Sequence, residues 1–218
     1  LEETGLDHYF IAHESFSAAY EKRGVAHKKI LPAGVPFPAD WICTEERTDA
    51  RALLNLPQNM PCYFIPYAAD TAAALSALLD RLKSDQGRVC VLAPDGAPPK
   101  SPFIARFAGD TRVIVLSPED PLPLYWAACD VMLTAPSGAL SATAVVCDMP
   151  LVHLPTADAL ERQTAQFFSA RGMGVSGGSC EEAAALAVSI ARDELRRAQM
   201  RANQQSGCPA DGAARIVR

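Results

Sequence analysis

The sequence has no long apolar run, no excess of positive charge and no closely spaced pair of cysteines. No stretch reaches the roughly 20 apolar residues of a membrane-spanning helix, and no secretory signal peptide is visible. The net charge of −5 and the isoelectric point near 5.4 argue against a dedicated nucleic-acid-binding protein. The four histidines have no metal-ligand spacing. We therefore expect no nucleic-acid partner and no histidine-bound metal.

Seven cysteines are spread over the chain, and none belongs to a Cys-x-x-Cys motif. Most lie within apolar segments, where a free cysteine behaves as a small hydrophobic core residue. An odd number of scattered cysteines is typical of a protein kept reduced in the cytosol. This pattern predicts neither a disulfide framework nor a metal centre.

The 218 residues, 49% of them hydrophobic, are enough for one α/β domain, or for one domain and a fragment of another. The first residue is leucine rather than methionine, and we expect the chain to begin within a longer protein. In the first third of the chain, the pattern predicts strands at 7–12 and 29–32 and helices at 14–23 and 48–54.

From residue 60 onward, short apolar segments alternate with segments whose apolar residues recur at helical spacing. The predicted strands are 62–65, 88–93, 112–116, 131–134, 151–154 and 173–175. The predicted helices are 71–82, 101–108, one that ends near 128, 138–147, 158–171, and one or two within 181–205. Strands separated by helices pair in parallel through right-handed crossovers. The sequence therefore predicts an α/β fold with a doubly wound, Rossmann-like parallel sheet, whose ligands bind at the carboxyl ends of the strands.

The loop after the strand at 131–134 is the strongest candidate for a binding site. A helix N-terminus presents unpaired backbone N–H groups and a partial positive charge, which together hold an anion such as a diphosphate. Gly138 has no side chain that would keep a phosphate away. An ordinary helix start capped by Ser137 explains the same residues, so both interpretations stay open.

Three segments of the chain resemble the C-terminal domain of one family of GT-B glycosyltransferases. They are ACDVMLTAPSGAL at 128–140, CDMPLVHLP at 147–155 and ERQTAQFFSARGMG at 161–174. The family includes monogalactosyldiacylglycerol synthases, processive diacylglycerol glucosyltransferases and the N-acetylglucosaminyltransferase of peptidoglycan lipid synthesis. The resemblance implies that 1–38 is the end of an N-terminal acceptor domain with the crossing segment, 39–59 a linker, 60–205 the nucleotide-sugar-binding domain and 206–218 a C-terminal tail.

The same resemblance implies a donor site for a UDP-sugar. The residues that it assigns to the diphosphate and sugar loop are Ser137, Gly138, Ala139 and Leu140. The backbone around Pro118 and Glu119 would bind the uracil, and Glu161 and Thr164 would lie near the sugar. A phosphate-side loop would comprise Ala69, Asp70 and Thr71. No metal or other cofactor is implied, because the helix N-terminus and loop amides neutralise the leaving group.

Several positions depart from the family's pattern. The family usually has a glutamate that grips the ribose, and Ala144 stands at the matching position. A Gly-Gly-Ser turn is replaced by a loop in which Asp70 would repel a diphosphate, although Asp70 is also a good helix N-cap. A Gly-Gln-Glu-x-x-Asn pattern keeps only Glu161, with Leu160 in place of glutamine and Thr164 in place of asparagine. A solvated carboxylate at a helix start also explains Glu161.

Two hypotheses follow from these observations. The first is the donor-binding domain of an enzyme that moves a hexose from a UDP-sugar to a diacylglycerol-like lipid. Its general base would come from the acceptor domain, so the catalytic residues are unknown and the isolated chain is expected to be inactive. The second is a degenerate GT-B-like domain that serves binding or scaffolding. A sugar epimerase on the same scaffold would need a carboxylate and histidine pattern that this sequence lacks.

We expect a cytoplasmic protein, and a lipid acceptor would place it at the inner face of the cell membrane. Four arginines on the last predicted helices would then form a basic face toward anionic lipid, although such a face is usually just solvated. They are Arg192, Arg196, Arg197 and Arg201. His13, followed by Glu14, would face the cleft between the domains. The pair could have an acid–base role there, or Glu14 could simply be the carboxylate at a helix start. His153 is expected to be a hydrogen-bonded core residue.

Overall fold

A computed structural model describes residues 4–38, 41–66, 71–82, 87–92, 107, 109–208 and 211–217. Ala69 and Asp70 of the predicted phosphate-side loop lie outside the described residues, as does nearly all of the predicted helix at 101–108. Thr71 begins a helix as expected, but its side chain is not described.

The described residues form eight strands and nine α-helices, which follow the predicted order. The strands are β1 (Tyr9–Ile11), β2 (Ile30–Pro32), β3 (Cys62–Pro66), β4 (Arg88–Leu92), β5 (Val113–Leu116), β6 (Val131–Thr134), β7 (Leu151–His153) and β8 (Gly174–Ser176). The helices are α1 (Ser17–Glu21), α2 (Arg47–Leu53), α3 (Thr71–Arg81), α4 (Leu122–Ala128), α5 (Gly138–Val146), α6 (Ala159–Ala170), α7 (Cys180–Arg192), α8 (Glu194–Gly207) and α9 (Gly212–Val217). Short 3-10 helices cover Glu14–Phe16 and His27–Lys29.

Six strands form a single parallel sheet in the order β5-β4-β3-β6-β7-β8. This arrangement confirms the predicted doubly wound parallel fold. The chain enters the sheet at β3, adds β4 and β5 on one side, and then returns to add β6, β7 and β8 on the other. The direction of winding therefore reverses between β3 and β6. In open α/β sheets, ligands bind in the crevice at this reversal point, outside the carboxyl ends of the strands.

The sheet is buried on both faces, as its apolar strands predict. On β3, Tyr63 and Ile65 point to one face, where they pack with α3 and α7, whereas Cys62 and Phe64 point to the other, with α4 and α5. All four side chains are at most 2% exposed. The alternation fixes which helices cover each face and so positions α5 beside the reversal point.

A separate two-stranded parallel sheet precedes this domain. Tyr9, Ile11 and Ile30 face a small core, while Phe10 and Leu31, which are partners in the β1–β2 ladder, are 43% and 38% exposed. The helix predicted at 14–23 instead begins as a 3-10 turn and continues as α1. It stops before Gly24, whose φ of 91° suits only a residue without a Cβ.

A buried arginine anchors α2 to the main sheet. Arg51 is 0% exposed, and its guanidinium donates to the carbonyls of Ala128, Pro57, Gln58 and Met60. It also donates to Asp130 Oδ2 at 2.8 Å. These contacts satisfy a charge that would be costly to bury alone. The segment before β3 is therefore fixed to the amino end of β6.

Two helices, α7 and α8, occupy the region where one or two were predicted, and the structure adds α9, which was not predicted from the sequence. The chain approaches closely at Gly212, where an added Cβ would lie 2.5 Å from the carbonyl oxygen of Val35. The C-terminal segment therefore packs back onto the segment that follows β2.

Candidate functional site

The N-terminus of α5 lies at the reversal point of the sheet, directly after β6. Ser137 Oγ accepts a hydrogen bond from the N–H of Leu140 at 3.1 Å and so caps the helix. The N–H groups of Gly138 and Ala139 then have no partner among the described residues, as expected for the first positions of a helix. A Cβ added to Gly138 would meet nothing within 4 Å. The first turn of α5 is therefore unobstructed on the side where a Gly138 side chain would lie.

Gly138 lines a cavity of about 230 Å³ between the small first sheet and helices α5 and α6. On the α6 side it is lined by Leu160, Thr164 and Phe167. His13 and the neighbouring Phe16 complete the other side, together with further apolar residues. The structure thus brings two predicted positions, Gly138 and Thr164, into one cavity whose lining is mainly apolar.

Aromatic rings build the wall of this cavity. Phe16 stacks on Phe167 with ring centroids 5.1 Å apart, and His13 meets Phe167 edge-on at 5.3 Å. The guanidinium of Arg171 lies 3.9 Å from the centre of the Phe167 ring, a cation–π geometry. Arg171 also donates to Ser15 Oγ at 2.8 Å. These contacts hold the segment after β1 against α6.

His13 presents a neutral imidazole to this region. Its Nδ1 accepts a hydrogen bond from the N–H of Ser15 at 3.0 Å, which assigns the ring proton to Nε2. Partial burial lowers the pKa of His13, and the nearby positive charge of Arg171 lowers it further, while Glu14 opposes them. The side chain is therefore suited to donate a hydrogen bond from Nε2.

The other predicted sugar contact is held within its own loop. The Glu161 carboxylate accepts a hydrogen bond from the hydroxyl of Thr156, and its backbone N–H donates to the N-capping Asp158 at 2.9 Å. Glu161 is not among the residues that line the cavity, whereas Leu160 and Thr164 on the same helix are. The first turn of α6 thus presents an apolar and a hydroxyl side chain to the cavity.

The predicted uracil loop lies away from this cavity. Pro118 and Glu119 are exposed in a turn after β5, the outermost strand of the sheet on that side. The Asp120 carboxylate closes the turn by accepting hydrogen bonds from Ser117 N–H at 2.7 Å and from its hydroxyl at 3.0 Å. Strands β4 and β3 separate this turn from the β6–α5 junction.

Two residues of α5 face the core and not the cavity. Ala144, at the position of the family's ribose-binding glutamate, is 0% exposed among apolar side chains. Ser141 is also fully buried, and its Oγ lies 2.8 Å from His153 Nε2. The expectation that His153 is a hydrogen-bonded core residue is thus met, and burial lowers its pKa to about 4.

Part of the predicted basic face is engaged by the protein itself. Arg197 donates to the carbonyl of Ala191, and Arg201 donates to the carbonyl of Asp148 at 3.0 Å. Burial lowers the pKa of Arg201, and the neighbouring Arg197 lowers it further. Two of the four arginines therefore bind main-chain carbonyls at the ends of α7 and α5.

The aromatic wall of the site was not predicted from the sequence. Phe167 lies in the matched segment at 161–174, and its pairing with Phe16 joins positions about 150 residues apart in the chain. The repeated Phe167-Phe168 was the available signal, but helical periodicity alone assigns both rings to a core. Cys208, another residue lining the cavity, gave no signal in the sequence.

No helix within the described residues combines the length and the hydropathy needed to cross a membrane. No protein-family model matches the chain. A curated relative is the processive diacylglycerol beta-glucosyltransferase of Staphylococcus carnosus, 22% identical over 205 residues, which cover 90% of this chain and 51% of the relative. The chain therefore spans about half the length of the curated relative that it matches.

Solved structures share the fold over nearly the whole chain. UDP-GlcNAc 2-epimerase from Neisseria meningitidis, bound to UDP-GlcNAc, has a TM-score of 0.70 at 12% identity and covers 97% of this chain and 60% of its own. A glycosyltransferase from Rickettsia africae has a TM-score of 0.61 at 13% identity, covering 96% and 66%. Anabaena HepE in complex with UDP and glucose has a TM-score of 0.58 at 16% identity, covering 97% and 62%. The six-stranded parallel sheet and these likenesses show that the chain has the GT-B, Rossmann-like fold.

Proposed function

We propose that this GT-B glycosyltransferase-like domain binds the diphosphate of a UDP-sugar at the N-terminus of α5 and serves as the donor half of a hexosyltransferase. The open Gly138 carries this proposal. Its unpartnered N–H lies at the point where the winding of the sheet reverses, and a Cβ added to the residue would meet no atom within 4 Å. Two backbone N–H groups at a helix start bind an anion without help from a charged side chain.

The known proteins with this fold support a nucleotide-sugar ligand. One was solved with UDP-GlcNAc, one with UDP and glucose and a third with thymidine diphosphate. A diphosphate is common to all three. The binding of that group by backbone amides tolerates sequence change, so the function can persist at low identity.

The proposed acceptor is a diacylglycerol-like lipid hydroxyl. The curated relative acts on diacylglycerol, according to its name. The cavity beside Gly138 is lined by aromatic and aliphatic side chains, which suit the apolar part of a lipid better than a second sugar. Within this proposal, residues 1–38 are the end of an acceptor domain, 39–59 link it to the donor domain, and 60–205 bind the donor. The protein then acts at the inner face of the cell membrane.

Calorimetry with UDP tests the donor site through two glycine variants. Gly138→Asp places a carboxylate at the proposed diphosphate-binding position and should abolish UDP binding. Gly5→Asp makes the same change at an exposed glycine whose added Cβ also meets nothing within 4 Å, so it should bind UDP as the wild type does. Unchanged UDP binding by Gly138→Asp would refute the proposed diphosphate site at the N-terminus of α5.

A non-catalytic GT-B-like scaffold is the second candidate, and one observation favours it. Ala144 is fully buried, so α5 offers no carboxylate to the ribose and no space for one. Thermal unfolding with millimolar UDP separates the candidates, because a ligand at one hundred times its dissociation constant adds about 2.7 kcal/mol to the free energy of unfolding. A rise in Tm favours the donor site, and no rise favours the scaffold.

A further inference from the structure

Three buried cysteines from distant parts of the chain meet at one point in the core. Cys62 begins β3, Cys90 lies in the middle of β4, and Cys129 precedes β6 by two residues. The Sγ atoms of Cys62 and Cys129 are 3.4 Å apart, and those of Cys62 and Cys90 are 3.7 Å apart. All three Sγ atoms lie within 4.8 Å of one another, and each residue is at most 2% exposed.

These distances fit coordination of one soft metal ion. A zinc–thiolate bond is about 2.3 Å long, which separates two sulfur atoms in a tetrahedral site by about 3.8 Å. The two sulfur separations that involve Cys62, 3.7 and 3.4 Å, are close to this value. Thiolate ligands favour Zn²⁺ and other soft cations over hard cations such as Mg²⁺ or Ca²⁺.

Three charged side chains beside the cluster suit the same ion. Asp130, the residue after Cys129, accepts hydrogen bonds from Arg47 and Arg51, both at 2.8 Å, and from the N–H of Cys62. Two guanidinium groups and one carboxylate leave one uncompensated positive charge. A divalent cation on three thiolates carries one negative charge, which offsets this positive charge. Arg51 and Asp130 are fully buried, and the Arg47 side chain is 29% exposed.

We propose that Cys62, Cys90 and Cys129 form a three-thiolate site for one divalent thiophilic cation of the zinc and cadmium class. Binding converts three thiols to thiolates and releases three protons to solvent. Cys62 and Cys129 lie at the amino ends of β3 and β6, the opposite edge of the sheet from the N-terminus of α5. The ion therefore ties three strands together and takes no part in donor binding.

Cadmium titration of the full, reduced chain tests the site through the thiolate-to-cadmium charge-transfer absorption in the ultraviolet. Because the cluster is buried, the chain is refolded from denaturant in the presence of Cd²⁺. We expect one Cd²⁺ per chain, a charge-transfer band, and a higher Tm than in the metal-free protein. Quenching of Trp126 fluorescence, from the same core cluster, gives a second readout.

Serine variants decide which thiols bind. Cys62→Ser, Cys90→Ser and Cys129→Ser should each lose the stoichiometric band and the rise in Tm. Cys147→Ser, at a half-buried thiol outside the cluster, should keep both. A wild-type chain that refolds in Cd²⁺ without the band, or a band that disappears in Cys147→Ser and persists in Cys62→Ser, would overturn the proposal. Neither readout uses a nucleotide, so failure here leaves the donor site untouched.

Discussion

The Oγ of Ser141 on α5 lies 2.8 Å from Nε2 of His153 at the end of β7, and both side chains are fully buried. His153 Nδ1 has no hydrogen-bond partner among the described residues. The ring packs edge-on against Phe168, with centroids 5.8 Å apart. The helix that presents Gly138 to the cavity is thus connected to the neighbouring strand by a neutral histidine.

This histidine predicts an acid-sensitive fold. Burial lowers the pKa of His153 to about 4 from its ordinary 6.5. Between these values the unfolded chain binds more protons than the folded one, so the free energy of unfolding falls as the pH drops from 6.5 to 4. This pKa difference between the folded and unfolded states corresponds to about 3 kcal/mol in the free energy of unfolding. Urea unfolding across this range in wild type and His153→Leu measures it, and the variant should lose most of the slope.

Ser141→Ala is the control for the hydrogen bond. It should cost about 1 kcal/mol at pH 7 and keep the acid slope, because burial and not the serine lowers the pKa of His153. An equally steep slope in His153→Leu would show that another group causes the acid sensitivity.

The buried pair Arg51–Asp130 predicts a large loss on truncation. Asp130→Ala leaves the fully buried Arg51 guanidinium without its carboxylate, which should lower the free energy of unfolding by about 3–5 kcal/mol. Asp110→Ala is the control, since Asp110 and Arg112 form a pair whose side chains are 25% and 27% exposed, and its loss should be within about 1 kcal/mol. Equal losses in urea unfolding would contradict this ranking.

Two glycine-to-alanine changes should have different effects on the free energy of unfolding. A Cβ on Gly177 would lie 2.5 Å from the backbone nitrogen of Ala183, so α7 must move, at a cost of about 1–3 kcal/mol. A Cβ on Gly138 meets open space, and alanine there should be neutral or stabilising by about 0.4–1 kcal/mol. Urea midpoints measure both. A large loss of stability in Gly138→Ala would mean that the space beside Gly138 is occupied.

Periodicity in the sequence was enough to predict most of the main sheet. The strand at 131–134 and the helix beginning at Gly138 appear at the predicted residues, because an apolar strand followed by a Ser-Gly helix start is a local signal. The first helix was predicted too early, since Glu14–Phe16 form a 3-10 turn that helical spacing does not distinguish. The short helix α9 was missed because it packs on the distant Val35, a contact that no local pattern encodes.

The candidate site was predictable only where its proposed role depends on the backbone. Gly138 was proposed because a glycine at a helix start is a local feature, and in the structure an added Cβ there meets nothing within 4 Å. The cavity wall could not be predicted, because Phe16 and Phe167 meet only in three dimensions. The cysteine cluster was missed for the same reason, since Cys62, Cys90 and Cys129 are 28 to 67 residues apart and have no motif spacing.

Restoring polar groups at the start of α6 should strengthen binding of the sugar. Leu160 and Thr164 line the cavity, and the GT-B family that the sequence resembles has glutamine and asparagine at these two positions. The double change Leu160→Gln and Thr164→Asn therefore restores two hydrogen-bonding amides. Each neutral hydrogen bond contributes about 0.5–1.5 kcal/mol, which corresponds to roughly two- to twelvefold in affinity. Calorimetry should therefore show tighter binding of a UDP-hexose and unchanged binding of UDP. Leu195→Gln, at an 85% exposed leucine on α8, is the matched control and should change neither. Equal gains for UDP and UDP-hexose would place the new amides near the diphosphate and not the sugar.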